Sequence, residues 1–448
     1  MTEILGPLLW FIVAIGVLIT FHEFGHYWVA RRCGVRVLRF SIGFGPALAS
    51  WTDREGVEWR LGAIPLGGYV AMLDEREGAV PDDDRPRAFN RRPVGQRIAI
   101  VAAGPLANAV LAVLLVYAML VIGKPDYAPV LGAPQGLAAE AGFAAGDRLL
   151  AVDGRDTPTW TEATQALMVP RVDRRPVDVR LVEADGDTVL RRLPLDRVPA
   201  GLDEPEAFAA TGLRGRTPVP PAVVGGVMPG SAADGVLREG DRLLAIDGMA
   251  IGDFTGIRDA LDRHPLDGPP PTLRIEVDRD GARLGLDLAP RLDGEGGDRA
   301  WRLGVRAADA RDALLRYGPL EAVPRAVETT AQLASDTVAI LARMVTGAAS
   351  LQNLSGPISI ARAADTTAQR GAAWFLYFLA MLSVSIALLN LLPIPALDGG
   401  HLLYYLIELV RGRPLSDRVL VAGHYAGLAL LASLMGLALF NDVLRLAS

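Results

Sequence analysis

Sorted only by apolar and polar positions, the chain alternates between long uncharged stretches and polar intervals. Residues 4–22, 98–122, 371–397 and 419–441 contain no Asp, Glu, Lys or Arg. A helix needs roughly 20 apolar residues to cross a bilayer, so the pattern predicts four spans, at residues 1–30, 98–123, 371–398 and 419–441. Between the first two, residues 35–50 and 57–72 alternate in polarity and contain Gly43-Phe44-Gly45-Pro46 and Pro65-Leu66-Gly67-Gly68-Tyr69. That is the pattern of strands with Gly and Pro turns, and it predicts a membrane-associated β-hairpin within residues 31–97.

Beyond residue 125 the apolar runs shorten and an internal repeat emerges. GDRLLAVDG at residues 146–154 returns as GDRLLAIDG at 240–248, and GLAAE at 136–140 aligns with GSAAD at 230–234, an offset of 94 in both cases. Two β-rich α+β units are therefore expected outside the membrane, at residues 125–215 and 216–295, with helices at 161–168 and 252–261. Residues 296–370 read as a linker with an interfacial amphipathic helix at 333–344, and 399–418 as a short connection. The fold class is thus a polytopic α-helical membrane protein with a β-hairpin region and two extramembrane domains.

Charge fixes orientation and removes some partners. Twelve arginines lie between residues 31 and 97, and Arg411, Arg413 and Arg418 precede the last span, which places both loops in the cytoplasm. The termini and the repeated units fall on the opposite side. The N-terminal stretch does not read as a signal peptide, because it begins with Glu3 rather than a basic region. A net charge of −6 offers no basic footprint, so nucleic acid is not an expected partner. The single cysteine, Cys33, forms no intrachain disulfide framework, and an inert thiol is its plainer reading beside metal ligation.

Candidate chemistry sits at the ends of two spans. In His22-Glu23-Phe24-Gly25-His26 the histidines are four residues apart, so on a helix both point at one ion, with Glu23 beside them as general base. Such a pattern is the mark of zinc peptidases and needs a third ligand. Asp398, in Asn390-Leu-Leu-Pro393-Ile-Pro395-Ala-Leu-Asp398-Gly399-Gly400, is the best candidate, since an ionisable group beside a long apolar segment is costly and functional by default. His401, three residues on, competes with it. Pro393 and Pro395 break helix geometry before the ligand, freeing carbonyls that, with Asn390, are available to hold substrate. Asn108, in Gly104-Pro105-Leu-Ala-Asn108, places an amide in the second span as a further substrate or active-site contact.

With HEFGH near one end and NLLPIPALDGG near the other, the chain resembles the site-2 protease family of intramembrane zinc metalloproteases, in particular the bacterial regulator-of-sigma-E protease type. The resemblance covers nearly the whole chain. It implies Zn2+ held by His22, His26 and Asp398, with Glu23 activating water, and a pair of PDZ domains in place of the repeated units. It also implies a membrane-associated β-structure whose edge, near Gly67, Gly68 and Tyr69, pairs with unwound substrate by strand addition. Expected partners are membrane lipid, single-span membrane proteins such as an anti-sigma factor trimmed by a first protease, remnant signal peptides, and peptide C-termini at the PDZ domains. The expected location is the bacterial inner membrane, with the PDZ domains periplasmic and the site towards the cytoplasm. The segment Asn353-Leu-Ser-Gly-Pro-Ile358 also matches the family, without a chemical role. A metal or ion transporter, which has no need of Glu23, and a catalytically inactive PDZ scaffold are the alternatives.

Overall fold

The computed structural model describes residues 2–447 apart from 77, 200, 203, 295–298 and 348–354, so Asn353 and Leu354 of the family-like segment lie outside the described residues. Among the described residues four helices are long and apolar enough to cross a membrane: Leu5–Arg32, Val94–Ile122, Ala372–Leu391 and Arg418–Arg445. The second and third pack along their lengths through Leu111, Leu115 and Met119 against Tyr377, Ala380 and Val384. A helix at Pro319–Val345 closes this core with Ala322, Ala326, Thr330 and Leu333, spaced by a helical turn on one face. Leu320, Val323, Val327 and Val338 of the same helix stay exposed, as suits a helix with a lipid-facing side.

The third span stops earlier than its apolar run. Its helix ends at Leu391 and residues 392–397 are non-helical; Asp398 then begins a separate helix, Asp398–Arg411, within what reads as a connection in the sequence. Proline supplies the reason. Pro393 and Pro395 donate no backbone hydrogen bond and push their preceding residues out of helical geometry. Pro105, by contrast, sits inside an unbroken second-span helix.

The strands Val37–Thr52 and Glu58–Met72 do more than form a hairpin, because each folds back on itself. Phe40 pairs with both Trp59 and Val70, and Arg60 with both Ser41 and Ser50. Two segments thus make four short strands, in the order 47–52, 58–62, 37–44, 64–72. Gly43 and Gly45 take positive φ at the bend, 87° and 81°, a backbone region that favours glycine.

The repeat is carried into structure. One four-stranded sheet follows the connectivity of Arg155–Asp156, Arg148–Val152, Val177–Val182 and Thr188–Leu193; the other repeats it with Met249–Ala250, Arg242–Ile246, Leu273–Arg279 and Ala282–Leu288. Each unit has its own apolar core and one helix in the expected place, Trp160–Val172 or Thr255–Leu261. The second unit runs past the expected boundary at 295, since Val305–Ala307 pairs with Val224–Val227. Strands of three and four residues leave no alternation for sequence reading to find.

The first unit is bolted to the spans through Lys124, whose side chain is fully buried where the second span ends. Its ammonium lies 2.8 Å from Glu162 and 3.4 Å from Asp126, over the rings of Trp374 and Tyr377. Tyr377 also donates to Gln165 at 2.7 Å. Lys124→Met removes the cation and strands the buried carboxylates, a loss of about 3 kcal/mol. The checking measurement is the unfolding midpoint in detergent, where Lys124→Met is expected to lower stability and a second change, Glu162→Gln, to recover part of it.

Candidate metal centre

One turn apart on the first span, His22 and His26 are both buried, with Nε2 atoms 3.2 Å from each other. Asp398 brings its Oδ2 to 3.0 Å from the first and 3.4 Å from the second. Among the described residues this is the group of His, Cys, Asp or Glu side chains whose donor atoms converge, and His401 is not part of it. Zinc bonds of about 2.0–2.1 Å at tetrahedral angles put neighbouring donors roughly 3.3–3.5 Å apart, close to the spacing here. Asp398 Oδ2 is buried without a hydrogen-bond partner, an expensive arrangement that a bound cation relieves. The donor set fits zinc.

The histidines are held from behind by the second span. His26 Nδ1 donates to the Ile100 carbonyl at 2.9 Å, which leaves Nε2 with a free lone pair. Gly104, one turn on, faces both rings: a methyl group there falls 2.3 Å from His26 Nε2 and 2.8 Å from His22 Nε2. Asn108, a further turn on, puts its amide beside His22 Nδ1. The two spans approach closely because Gly25 of the HEFGH motif lacks a side chain as well; a Cβ there falls 2.3 Å from the Ala103 carbonyl oxygen.

Asp398 is seated with comparable closeness. A Cβ on Gly399 falls 2.1 Å from the Leu392 carbonyl oxygen and one on Gly400 falls 2.5 Å from that of Ile394, so the backbone of residues 392–397 curls tightly over the helix start. The fourth span presses on the same segment, with Gly427 against the Pro395 carbonyl and Gly423 against Pro395 and the Tyr404 hydroxyl.

The sequence matches the family model for peptidase family M50 over residues 10–434. The chain belongs to peptidase family M50. A protein of Xylella fastidiosa, called a candidate zinc metalloprotease, is 48% identical over 448 residues, which cover 99% of this chain and 100% of that one. The regulator of sigma-E protease RseP of Escherichia coli is 42% identical over 457 residues, and protease RseP of Yersinia pestis 42% over 456, each covering 100% of both chains. The M50 chain is a zinc metalloprotease with four helices fit to span a membrane, which displaces the transporter and scaffold alternatives.

In this M50 peptidase a cavity of about 810 Å³ opens onto the donor group, with Glu23, Tyr69, Asn390, Pro395 and His401 in its wall. Glu23 is held in place by its neighbours: Gly68 leaves room for its Cγ, and the Val70 main chain lies alongside its carboxylate. Residues 69–72 show the cavity the outer edge of the strand 64–72, which has no strand partner among the described residues. Gly67 and Pro393 are not in the wall; Gly67 instead makes room for the Phe44 ring. Nor is Asn108, which is fully buried; of the substrate or active-site contact expected of it, the structure shows a contact to His22. At the mouth, Arg97 pairs with Glu408 at 2.6 Å and joins the second span to the Asp398 helix. Sequence reading misses both groups, although an arginine at a span end and a glutamate on the amphipathic Asp398–Arg411 helix are a visible signal.

Gly104→Ala tests the packing of this centre. The added methyl has no room beside the two Nε2 atoms, so bound zinc per purified chain, measured by mass spectrometry of the metal, is expected to fall well below that of the native protein. Retention of the full complement contradicts the close approach.

Proposed function

We propose that this M50 protease cleaves the transmembrane segments of other membrane proteins, with zinc held by His22, His26 and Asp398 and with Glu23 as the proton carrier. What supports the reading is the convergence of three donor atoms and Glu23 in one cavity wall beside an unpaired strand edge. When bound, zinc brings the pKa of a coordinated water to about 7 and polarises a carbonyl. Glu23 takes the proton of the attacking water on its carboxylate and returns it to the leaving amine nitrogen. Asp398 and the two imidazoles stay deprotonated at the donor atoms throughout.

A helix hides its carbonyls in its own hydrogen bonds, so substrate must be unwound before it can react. The edge at residues 69–72 supplies backbone donors and acceptors to an extended peptide, and Asn390 and Pro395 border the path it takes. By analogy with the RseP proteins, the substrate is an anti-sigma factor stub left by an earlier cut, with remnant signal peptides as a second class. The repeated units are PDZ domains on the periplasmic side of the inner membrane. There they screen the extracytoplasmic portion of the substrate or take up its C-terminus, and the first sits fixed on the spans by Lys124.

The experiment compares native protein with Glu23→Gln, both purified in detergent, on a single-span substrate with a short extracytoplasmic stub. Both are expected to hold zinc, and Glu23→Gln to cleave at least roughly 100-fold more slowly. Equal rates contradict the assignment of Glu23.

A further inference from the structure

Asn108 poses a problem of donors and acceptors. Its side chain is wholly enclosed, its Nδ2 lies 3.4 Å from His22 Nδ1, and its Oδ1 has no partner. For His22 to offer Nε2 to a metal, its ring proton must sit on Nδ1. A donor would then face a donor, while an acceptor stays orphaned in the same amide. Exchanging the amide oxygen and nitrogen, which are nearly equal in size, removes the clash of donors and gives the oxygen a partner. The oxygen then accepts from Nδ1–H.

We infer that Asn108 is a positioning residue for the metal centre, its amide oxygen holding His22 in the tautomer that presents Nε2, and not a contact to substrate. The inference rests on His22 being a zinc ligand, as proposed above. The second span supports it with a regular device: the Ile100 carbonyl performs this service for His26, Asn108 performs it for His22, and Gly104 between them clears space for both Nε2 atoms. These three positions are four residues apart and therefore share one face of the helix. The histidines, also four apart, run along the facing helix. The main chain of Asn108 is itself fixed from the third span, whose Ser383 hydroxyl donates to the Asn108 backbone carbonyl at 2.7 Å. The span that leads towards Asp398 thereby also anchors the residue behind His22.

The test measures zinc affinity by competition with a chelator, together with kcat and KM, on full-length protein in detergent. Asn108→Asp keeps an acceptor at the same place; Asn108→Leu removes it. Partners of this kind are worth about 10–100-fold in metal affinity. Asn108→Leu is therefore expected to lose zinc affinity within that range, and Asn108→Asp to keep both affinity and kcat close to native. In Co2+-substituted protein, Asn108→Leu is also expected to shift the visible absorption bands while Asn108→Asp leaves them in place. A donor to the substrate carbonyl behaves in the opposite way: Asn108→Asp then loses kcat with zinc affinity unchanged, and that result overturns the inference. The Asp variant preserves size and the acceptor, so the answer stands even if the Leu variant fails to fold. His22→Ala separates the two readings, since native zinc affinity in that variant removes the ligand assignment itself, whereas loss there with none in Asn108→Leu removes only the inference about Asn108.

Discussion

Everything at this centre depends on how closely the first two spans approach. Gly25 and Gly104 remove the side chains that would hold the helices apart, and Ala103 and Ala107 keep the opposing surface small. Lipid tails give little hydrophobic drive between spans, so close packing of small residues and buried hydrogen bonds must supply the association. The same contact that joins the helices brings the Ile100 carbonyl and the Asn108 amide within reach of the two imidazoles. Assembly of the membrane core and assembly of the metal centre are therefore one event.

The third donor arrives by a different route. Pro393 and Pro395 end the third span early, and the chain re-enters a helix at Asp398, which puts a carboxylate at a helix start. An anion at that position is favoured by the helix dipole, and the glycines that follow let the turn close tightly. The fourth span completes the seat by resting Gly427 on the Pro395 carbonyl. Where the second span ends, the buried Lys124 fixes the first repeated unit to the second and third spans. The first repeated unit and the metal centre thus share one pair of helices.

Much of this is legible in the sequence, and what is not shares a physical cause. Uncharged length alone locates the spans, because lipid demands it, although the third helix ends at Leu391, short of its apolar run. His22, Glu23 and His26 are legible because their chemistry requires a fixed helical spacing, and the repeated units because one strand sequence recurs at a constant offset. Asp398 is legible as an ionisable group in the wrong solvent. The role of Gly104 and the placement of Asn108 are set by the register between two helices, which no single-helix pattern encodes. The bending of two strands into four, and the end of the second unit near residue 307, depend on pairing between segments too short or too continuous to show alternation.

X-ray absorption at the zinc edge on the purified native protein reads the centre most directly. Two imidazole nitrogens and carboxylate or water oxygens at about 2.0–2.2 Å, with no sulfur, are the expected shell. In Asp398→Ala the imidazole signal is expected to remain while the zinc content falls. A sulfur at about 2.3 Å, which Cys33 alone could supply as cysteine thiolate, or a shell without imidazole, contradicts the assignment of His22, His26 and Asp398.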